Sequence, residues 1–324
     1  MVDTHPFARL SPDVVMDAVE SVGFRCDARI LELNSYENRV FQIGIEDADP
    51  VIGKFYRPAR WTDEQILEEH AFTAELADAD ISAVAPLSLG ASTLSQFDDF
   101  RFALYPRRGG RAPDLDNLDN LEILGRAVGR IHSIGARIPF AHRPSITTDD
   151  YGYASREYLL RNGFIPADYE RDYRALTDEL LAAIDGRLEP HRFIRLHGDC
   201  HMGNVLWRDD VPHFVDFDDA RMGPAVQDLW MMLSGEGSEA NLQISAILEG
   251  YRAFMDFDLA ELALIEPLRS LRIMYHAAWL GRRWDDPAFP RAFPFYNTGH
   301  YWSQHLLQLR DQIERLDRES LQVY

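Results

Sequence analysis

The hydrophobic period of this chain changes once, at the Pro- and Gly-rich segment YPRRGGRAPD that runs from Tyr105 to Asp114. Before it lie short β-like runs, ARILEL, NRVFQIGI, VIGKFY and RFALY, separated by turn material at Glu46–Pro50 and Ser95–Asp99. After it the apolar residues recur at helical spacing, as Leu121, Leu124, Val128 and Ile131 do before Gly135. SREYLL, YRALTDELLAAI and EPLRSLRIMYHAAWLGRRW read the same way. A chain patterned like this forms a small antiparallel sheet joined to a larger helical body. The expected class is therefore α+β and two-lobed, with an N-lobe over 1–105, a hinge over 106–111 and a C-lobe over 112–324.

One helix interrupts the strands. Thr62 with Gln65 three residues later is a capping box, and good helix formers follow in QILEEHAFTAELA. At about 100° per residue Glu69 falls among Ile66, Phe72 and Leu76, whereas Glu68 lies about a quarter turn away. A carboxylate on an apolar stripe calls for a cationic partner. Spacing alone leaves open which of the two glutamates has one.

Composition narrows the candidates for that partner. The chain has 33 Lys plus Arg, of which Lys54 in VIGKFY is the only lysine. A compact ammonium differs chemically from a planar guanidinium, so a single lysine on a strand is a candidate for chemistry. The formal charge of −20 argues against nucleic acid and anionic membranes as partners, because the long-range field repels both. Two cysteines, Cys26 and Cys200, cannot build a disulfide framework, and MVDTHPFARLSPDVV has no leader-like pattern. No run approaches the roughly 20 apolar residues of a membrane span. These readings imply a cytoplasmic protein, with net charge favouring a monomer.

The chemistry concentrates in FIRLHGDCHMGNVLWRDDVPHFVDFDDA, where two apolar runs flank the polar loop His197–Asn204. Asp199 precedes Asn204 by five residues, and the next strand ends at Asp216. That interval matches a kinase catalytic loop, in which an aspartate receives the hydroxyl proton while an asparagine and a later aspartate bind magnesium. Amide and carboxylate oxygens are hard donors of the kind Mg2+ prefers. Two bland alternatives remain: a plain polar turn, or zinc held by His197, Cys200 and His201. The chain lacks both G-x-x-x-x-G-K-[ST] and G-x-G-x-x-G. Phosphate cover is therefore expected from LNSYENRVFQI, where backbone amides of Ser35–Asn38 form a nest. Lys54 and Glu69 fit the pair that orients ATP phosphates in kinases.

SYENRVFQ, VIGKFYRPARWT, ILEEH, RLHGDCHMGNVLW, VDFDDARMGPAVQDLWM and WDDPAFPRAFP together resemble the stress response kinase family of bacterial Ser/Thr protein kinases. That family sits among the choline-kinase and aminoglycoside-phosphotransferase relatives of protein kinases. The resemblance implies a two-lobed kinase fold and ATP- and Mg2+-dependent transfer to Ser/Thr hydroxyls, including the enzyme's own, in a stress response. It assigns Asp199 as the catalytic acceptor, Asp216 with Asn204 as metal ligands, Ser35 as an ATP-loop contact and Lys54 with Glu69 as the phosphate-orienting pair. It also likens Asp228 to an aspartate that braces the catalytic loop. The short path from Asp216 into GPAVQDLWM leaves no room for a long activation loop. His132 is expected to be a hydrogen-bonded core residue. Two other functions compete with the protein kinase. One is a small-molecule kinase for an amino alcohol or amino sugar, with Asp218, Asp219, Asp228, Asp285 and Asp286 as an acidic pocket. The other is a non-catalytic nucleotide-sensing module.

Overall fold

The computed structural model describes residues 5–189 and 191–324; the first four residues of the N-terminal stretch read above lie outside them. The N-terminal part begins with a helix that the strand-based reading missed, α1 (Pro12–Ser21). Ser11 caps it by accepting from the Val14 amide, Pro12 opens it, and Val15, Ala18 and Val19 are buried against the sheet. Among the described residues the small lobe therefore has two helices, not one.

Strands β1 (Cys26–Glu32), β2 (Arg39–Ile45), β3 (Ala48–Phe55), β4 (Ser95–Phe97) and β5 (Phe100–Pro106) form one antiparallel sheet in the order β1-β2-β3-β5-β4. Two turn expectations need correction. Pairing of Ser95–Phe97 with Phe100–Phe102 makes most of Ser95–Asp99 a strand, and the turn tightens to Asp98–Asp99. Likewise the β2–β3 turn is only Glu46–Asp47, with Asp47 at φ 54. Lys54 lies on central β3, opposite Val40 and Ala103.

Helix α2 (Asp63–Asp78) carries the expected reciprocal capping box of Thr62 and Gln65. It seats the sheet on the helical lobe. Phe72 packs edge-on against Phe140 and Phe217, and Glu68 accepts from the backbone amides of Ala141, His142 and Arg143.

The larger lobe contains α3 (Leu118–Gly135), α4 (Ala154–Arg161), α5 (Ala167–Ile184), α6 (Val226–Trp230), α7 (Ser238–Tyr251), α8 (Ile265–Arg282), α9 (Ala288–Ala292) and α10 (Gly299–Leu316). Gly125 and Gly129 let α3 meet the backbone of α7 directly: a Cβ at Gly125 would stand 2.0 Å from the Ile247 carbonyl oxygen. Between α5 and α6 lies the β insert, with β6 (Ile194–Leu196) paired to β9 (Arg221–Gly223) and β7 (Val205–Arg208) to β8 (Val211–Phe214). The β7–β8 hairpin turns on Asp209 and Asp210, both at positive φ, as a type I′ turn requires. No described helix is long and apolar enough to cross a membrane. The architecture is the α+β, kinase-like arrangement of an antiparallel sheet on a helical lobe.

Candidate active site

The loop between β6 and β7 is held by buried groups beneath it. Gly198 adopts φ +83, and a Cβ there would come 2.1 Å from the Asp219 carbonyl oxygen, so only glycine fits. Asp228, on α6 and 1% exposed, accepts from the amides of His197 (2.8 Å) and Gly198 (2.9 Å). His132 Nε2 donates to the same carboxylate at 3.0 Å, and Tyr251 donates to Nδ1 at 3.0 Å. Asp228 is thus tied to the loop backbone, and His132 is a fully buried link in its support. His197 donates from Nε2 to the Val215 carbonyl and packs on Phe217, which joins the loop to the segment that follows β8.

Above this base Asp199 keeps some exposure. Its Oδ1 meets Arg272 Nη2 at 2.7 Å, and its Oδ2 lies 3.5 Å from His201 Nε2. Burial opposes ionisation of Asp199, but His201 and Arg272 outweigh it and hold the carboxyl below the usual range. Asn204 donates from Nδ2 to the Asp199 carbonyl at 2.9 Å, which fixes the amide and leaves Oδ1 as its free oxygen. Asp216 sits at φ 59, ψ 63, a left-handed conformation that aspartate tolerates better than most residues. Its carboxyl is 53% exposed and meets Lys54 Nζ at 2.8 Å. Asn204 and Asp216 therefore offer one amide oxygen and one accessible carboxylate, a donor set that fits a hard divalent cation sharing its shell with phosphate and water. Zinc lacks this support: among the described residues no group of three His, Cys, Asp or Glu could hold a metal.

The expected Lys54–Glu69 ion pair is not formed. Lys54 reaches across the cleft to Asp216 and to Asp218 Oδ1 at 3.2 Å, while Glu69 lies 3.6 Å from Arg143. Asp218 brings a carboxylate next to the lysine and becomes its second partner. Burial disfavours charge on Lys54, yet Asp216, Asp218 and the nearby Glu69 hold its pKa well above the ordinary value. Glu69, 1% exposed, is pushed up to about 7 by burial, against the opposing pull of Lys54 and Arg143. Neither glutamate forms an ion pair with Lys54. Glu68 accepts from the 141–143 backbone amides, and Glu69 is buried beside Arg143.

The acidic pocket considered above for a cationic substrate is largely neutralised. Asp218 pairs with Lys54 and Arg60; Asp219 pairs with Arg60 and Arg221, both at 2.8 Å. Burial raises the Asp218 carboxyl, but Arg60 and Lys54 bring it down to about 2. Asp228 serves the loop backbone, and Asp286, 3% exposed, is held by Arg39 (3.1 Å) and Arg57 (2.7 Å). Of the five acids, Asp285 alone remains solvent-exposed without such a partner among the described residues.

Ser35 lies on the β1–β2 connection, where its Oγ donates to the Asn38 carbonyl at 3.3 Å. This connection is bound to the other lobe. Glu37 accepts from Trp279 Nε1 at 2.5 Å and pairs with Arg283 at 2.6 Å and Arg57 at 3.0 Å. Arg39 and Arg57 hold the loop carbonyls of Tyr36, Glu37 and Asn38 while pairing with Asp286. Across the cleft these ion pairs set eight cations against seven carboxylates, in a chain whose total charge is −20.

Arg60, Arg143, Arg272 and the Glu37 clamp were missed from sequence. A signal existed for one of them. Arg272, His276 and Trp279 of α8 and its C-cap residue Arg283 recur at i, i+4, i+7 and i+11, a polar and aromatic stripe on one face. Arg143 lies in an irregular loop and carries no such signal.

Asp199, Asn204, Asp216 and Lys54 thus line one cleft between the sheet and the helical lobe. The chain belongs to the phosphotransferase enzyme family, whose model matches residues 29–265. Within that family it is 45% identical over 318 residues to Stress response kinase A of Escherichia coli (strain K12), covering 98% of this chain and 97% of the relative. It is 42% identical, with the same coverage, to Serine/threonine protein kinase RdoA of Salmonella typhimurium (strain LT2). Among solved structures, amicoumacin kinase hAmiN, in complex with AMP-PNP, Ca2+ and Ami, superposes with a TM-score of 0.72 at 21% identity, covering 95% of this chain and 94% of that one. Choline kinase from Cryptosporidium parvum superposes with a TM-score of 0.63 at 12% identity, covering 94% and 96%. The chain is a kinase of this family.

Proposed function

We propose that this enzyme transfers the γ-phosphoryl group of ATP to Ser or Thr hydroxyls of proteins, including its own, in the cytoplasm and as part of a stress response. The observation that carries the reading is the convergence of Lys54, Asp216, Asn204 and Asp199 on one cleft, in a chain collinear with relatives named as stress response and Ser/Thr kinases. Asp199 receives or orients the proton of the attacking hydroxyl; its low pKa keeps it in the accepting form near neutral pH. Lys54, charged and tethered between Asp216 and Asp218, presents an ammonium to the phosphates. Glu69 acts on that lysine through the field it adds and through Arg143. Ser35 and the loop amides near it contact the nucleotide from above. Mg2+, held by Asn204 Oδ1 and Asp216, would neutralise phosphate charge during transfer. Asp228 keeps the loop rigid, which phosphoryl transfer needs more than covalent help. The cationic amino-alcohol alternative loses its support with the neutralised acids, and a silent sensing module has no need of all four groups.

The test is transfer of γ-labelled phosphate with Mg2+, comparing wild type and Asp199→Asn on the protein alone, on generic Ser/Thr substrates, and on a panel of amino alcohols and sugars. Label on protein Ser or Thr, reduced by about 10²-fold or more in the variant while ATP still binds, is the expected result. Unchanged turnover in Asp199→Asn sinks the assignment, and label on small molecules alone moves the enzyme to the other class.

A further inference from the structure

Arg272, on the polar stripe of α8, bears on what the enzyme phosphorylates. Arg272 reaches Asp199 Oδ1 at 2.7 Å and is 36% exposed, so its guanidinium lies beside the group that receives the acceptor hydroxyl and still opens to solvent. Asp199 is its ion-pair partner among the described residues. The other acids of the cleft are committed elsewhere: Asp219 to Arg60 and Arg221, and Asp218 to Lys54 and Arg60. Once Asp199 turns to a hydroxyl proton, the positive charge of Arg272 is left facing whatever surrounds that hydroxyl.

We propose that Arg272 is a specificity-determining residue, and that the preferred acceptor carries an anion close to the reacting hydroxyl, namely a Ser or Thr flanked by Asp or Glu. The inference deepens the protein-kinase reading and rests on Asp199 being the residue that meets the acceptor. An ammonium a few bonds from the hydroxyl would meet the guanidinium at close range and be repelled, whereas a carboxylate would gain a fork-shaped set of donors. Asp218, Asp219 and Asp286 are already paired with arginines and offer an ammonium no free carboxylate. At an ionic strength near 0.15 M, where the Debye length is about 8 Å, the −20 charge of the whole chain is screened and the contact charge decides.

The experiment uses the full chain with ATP and Mg2+. It measures kcat/KM for three peptides that share one Ser and differ in flanking residues, which are acidic, neutral or basic. A matched pair of small acceptors, a β-hydroxy acid and an amino alcohol, is run alongside. Wild type should favour the acidic over the basic peptide by about 10–100-fold. Arg272→Gln should bring that ratio close to one and Arg272→Lys should keep most of it. Because the readout is a ratio, a general loss of turnover does not imitate it. A preference for basic or neutral peptides, or a ratio unchanged in Arg272→Gln, overturns the proposal. If only small molecules are labelled, the protein-kinase reading fails by itself: preference for the hydroxy acid still supports the role of Arg272, and preference for the amino alcohol removes it. No transfer to any acceptor overturns both.

Discussion

Asp228→Asn is the substitution that most directly tests how the catalytic loop is held. Its carboxylate is 1% exposed and accepts three N–H groups, from His197, Gly198 and His132, at 2.8, 2.9 and 3.0 Å. Asparagine has one oxygen. Placed at Oδ2 it keeps His197 and His132 but turns its own NH2 toward the Gly198 amide. A buried unsatisfied donor costs about 1–3 kcal/mol, and the two remaining bonds lose the strength that charge gives them, about 0.5–1.5 kcal/mol each. The sum is about 2–6 kcal/mol. At about 2–4 °C per kcal/mol for large domains, the melting temperature should fall by roughly 4–24 °C. Asp199 adjoins the freed Gly198 amide, and a shift of about 1 Å in a catalytic group costs on the order of 10²-fold in rate. Thermal unfolding and labelled-phosphate transfer, assayed below the new melting temperature, read both effects. ATP affinity should fall less than turnover, since Lys54 and Asp216 lie off the loop and of the nucleotide-side groups only Asn204 is on it. A melting temperature within about 1 °C of wild type together with unimpaired turnover would refute the reasoning.

Two further outcomes follow from charges inside the cleft. Glu37→Gln weakens the clamp made with Trp279 and Arg283, and charged hydrogen bonds of this kind are worth about 1.5–3 kcal/mol. A fluorescent ATP analogue should leave the variant about 10-fold faster or more in stopped flow, and an unchanged off-rate would mean that the loop does not gate the nucleotide. Glu69 has a folded pKa near 7 because it is buried, against an ordinary 4.5. Between those values the folded state holds a proton that the unfolded chain has released, so its contribution to stability is present below pH 4.5 and is lost as pH rises to 7. Glu69→Gln lacks this loss. Its stability relative to wild type should climb by on the order of 1 kcal/mol per pH unit from 5 to 7, and parallel urea midpoints over that range would contradict the buried, proton-holding Glu69.

The sequence by itself determined the class of chain: a strand-rich segment, one change of period, and a helical body. The capping box of Thr62 and Gln65, and the face that carries Glu69, were legible because helical spacing and local hydrogen bonding act over three or four residues. Likewise the Asp199–Asn204 interval and Asp216 stood out, since one short loop and one strand end carry them. Local rules also failed locally. Ser11 and Pro12 mark a helix start that was passed over, and Ser95–Phe97 looked like turn until a partner strand supplied its hydrogen bonds.

What only the tertiary structure decided is who neutralises whom. Lys54 and Glu69 are fifteen residues apart and suggest a pair, but Asp216 and Asp218 arrive from more than 160 residues away and take the lysine, leaving Glu69 to Arg143. Glu37 and Asp286 likewise find their arginines across the cleft, and Arg272 finds Asp199 across seventy residues of chain. Coulomb energy depends on distance in space and on burial, neither of which is written in sequence separation. A row of acids that reads as a pocket for cations can therefore fold into one already filled by the protein's own arginines.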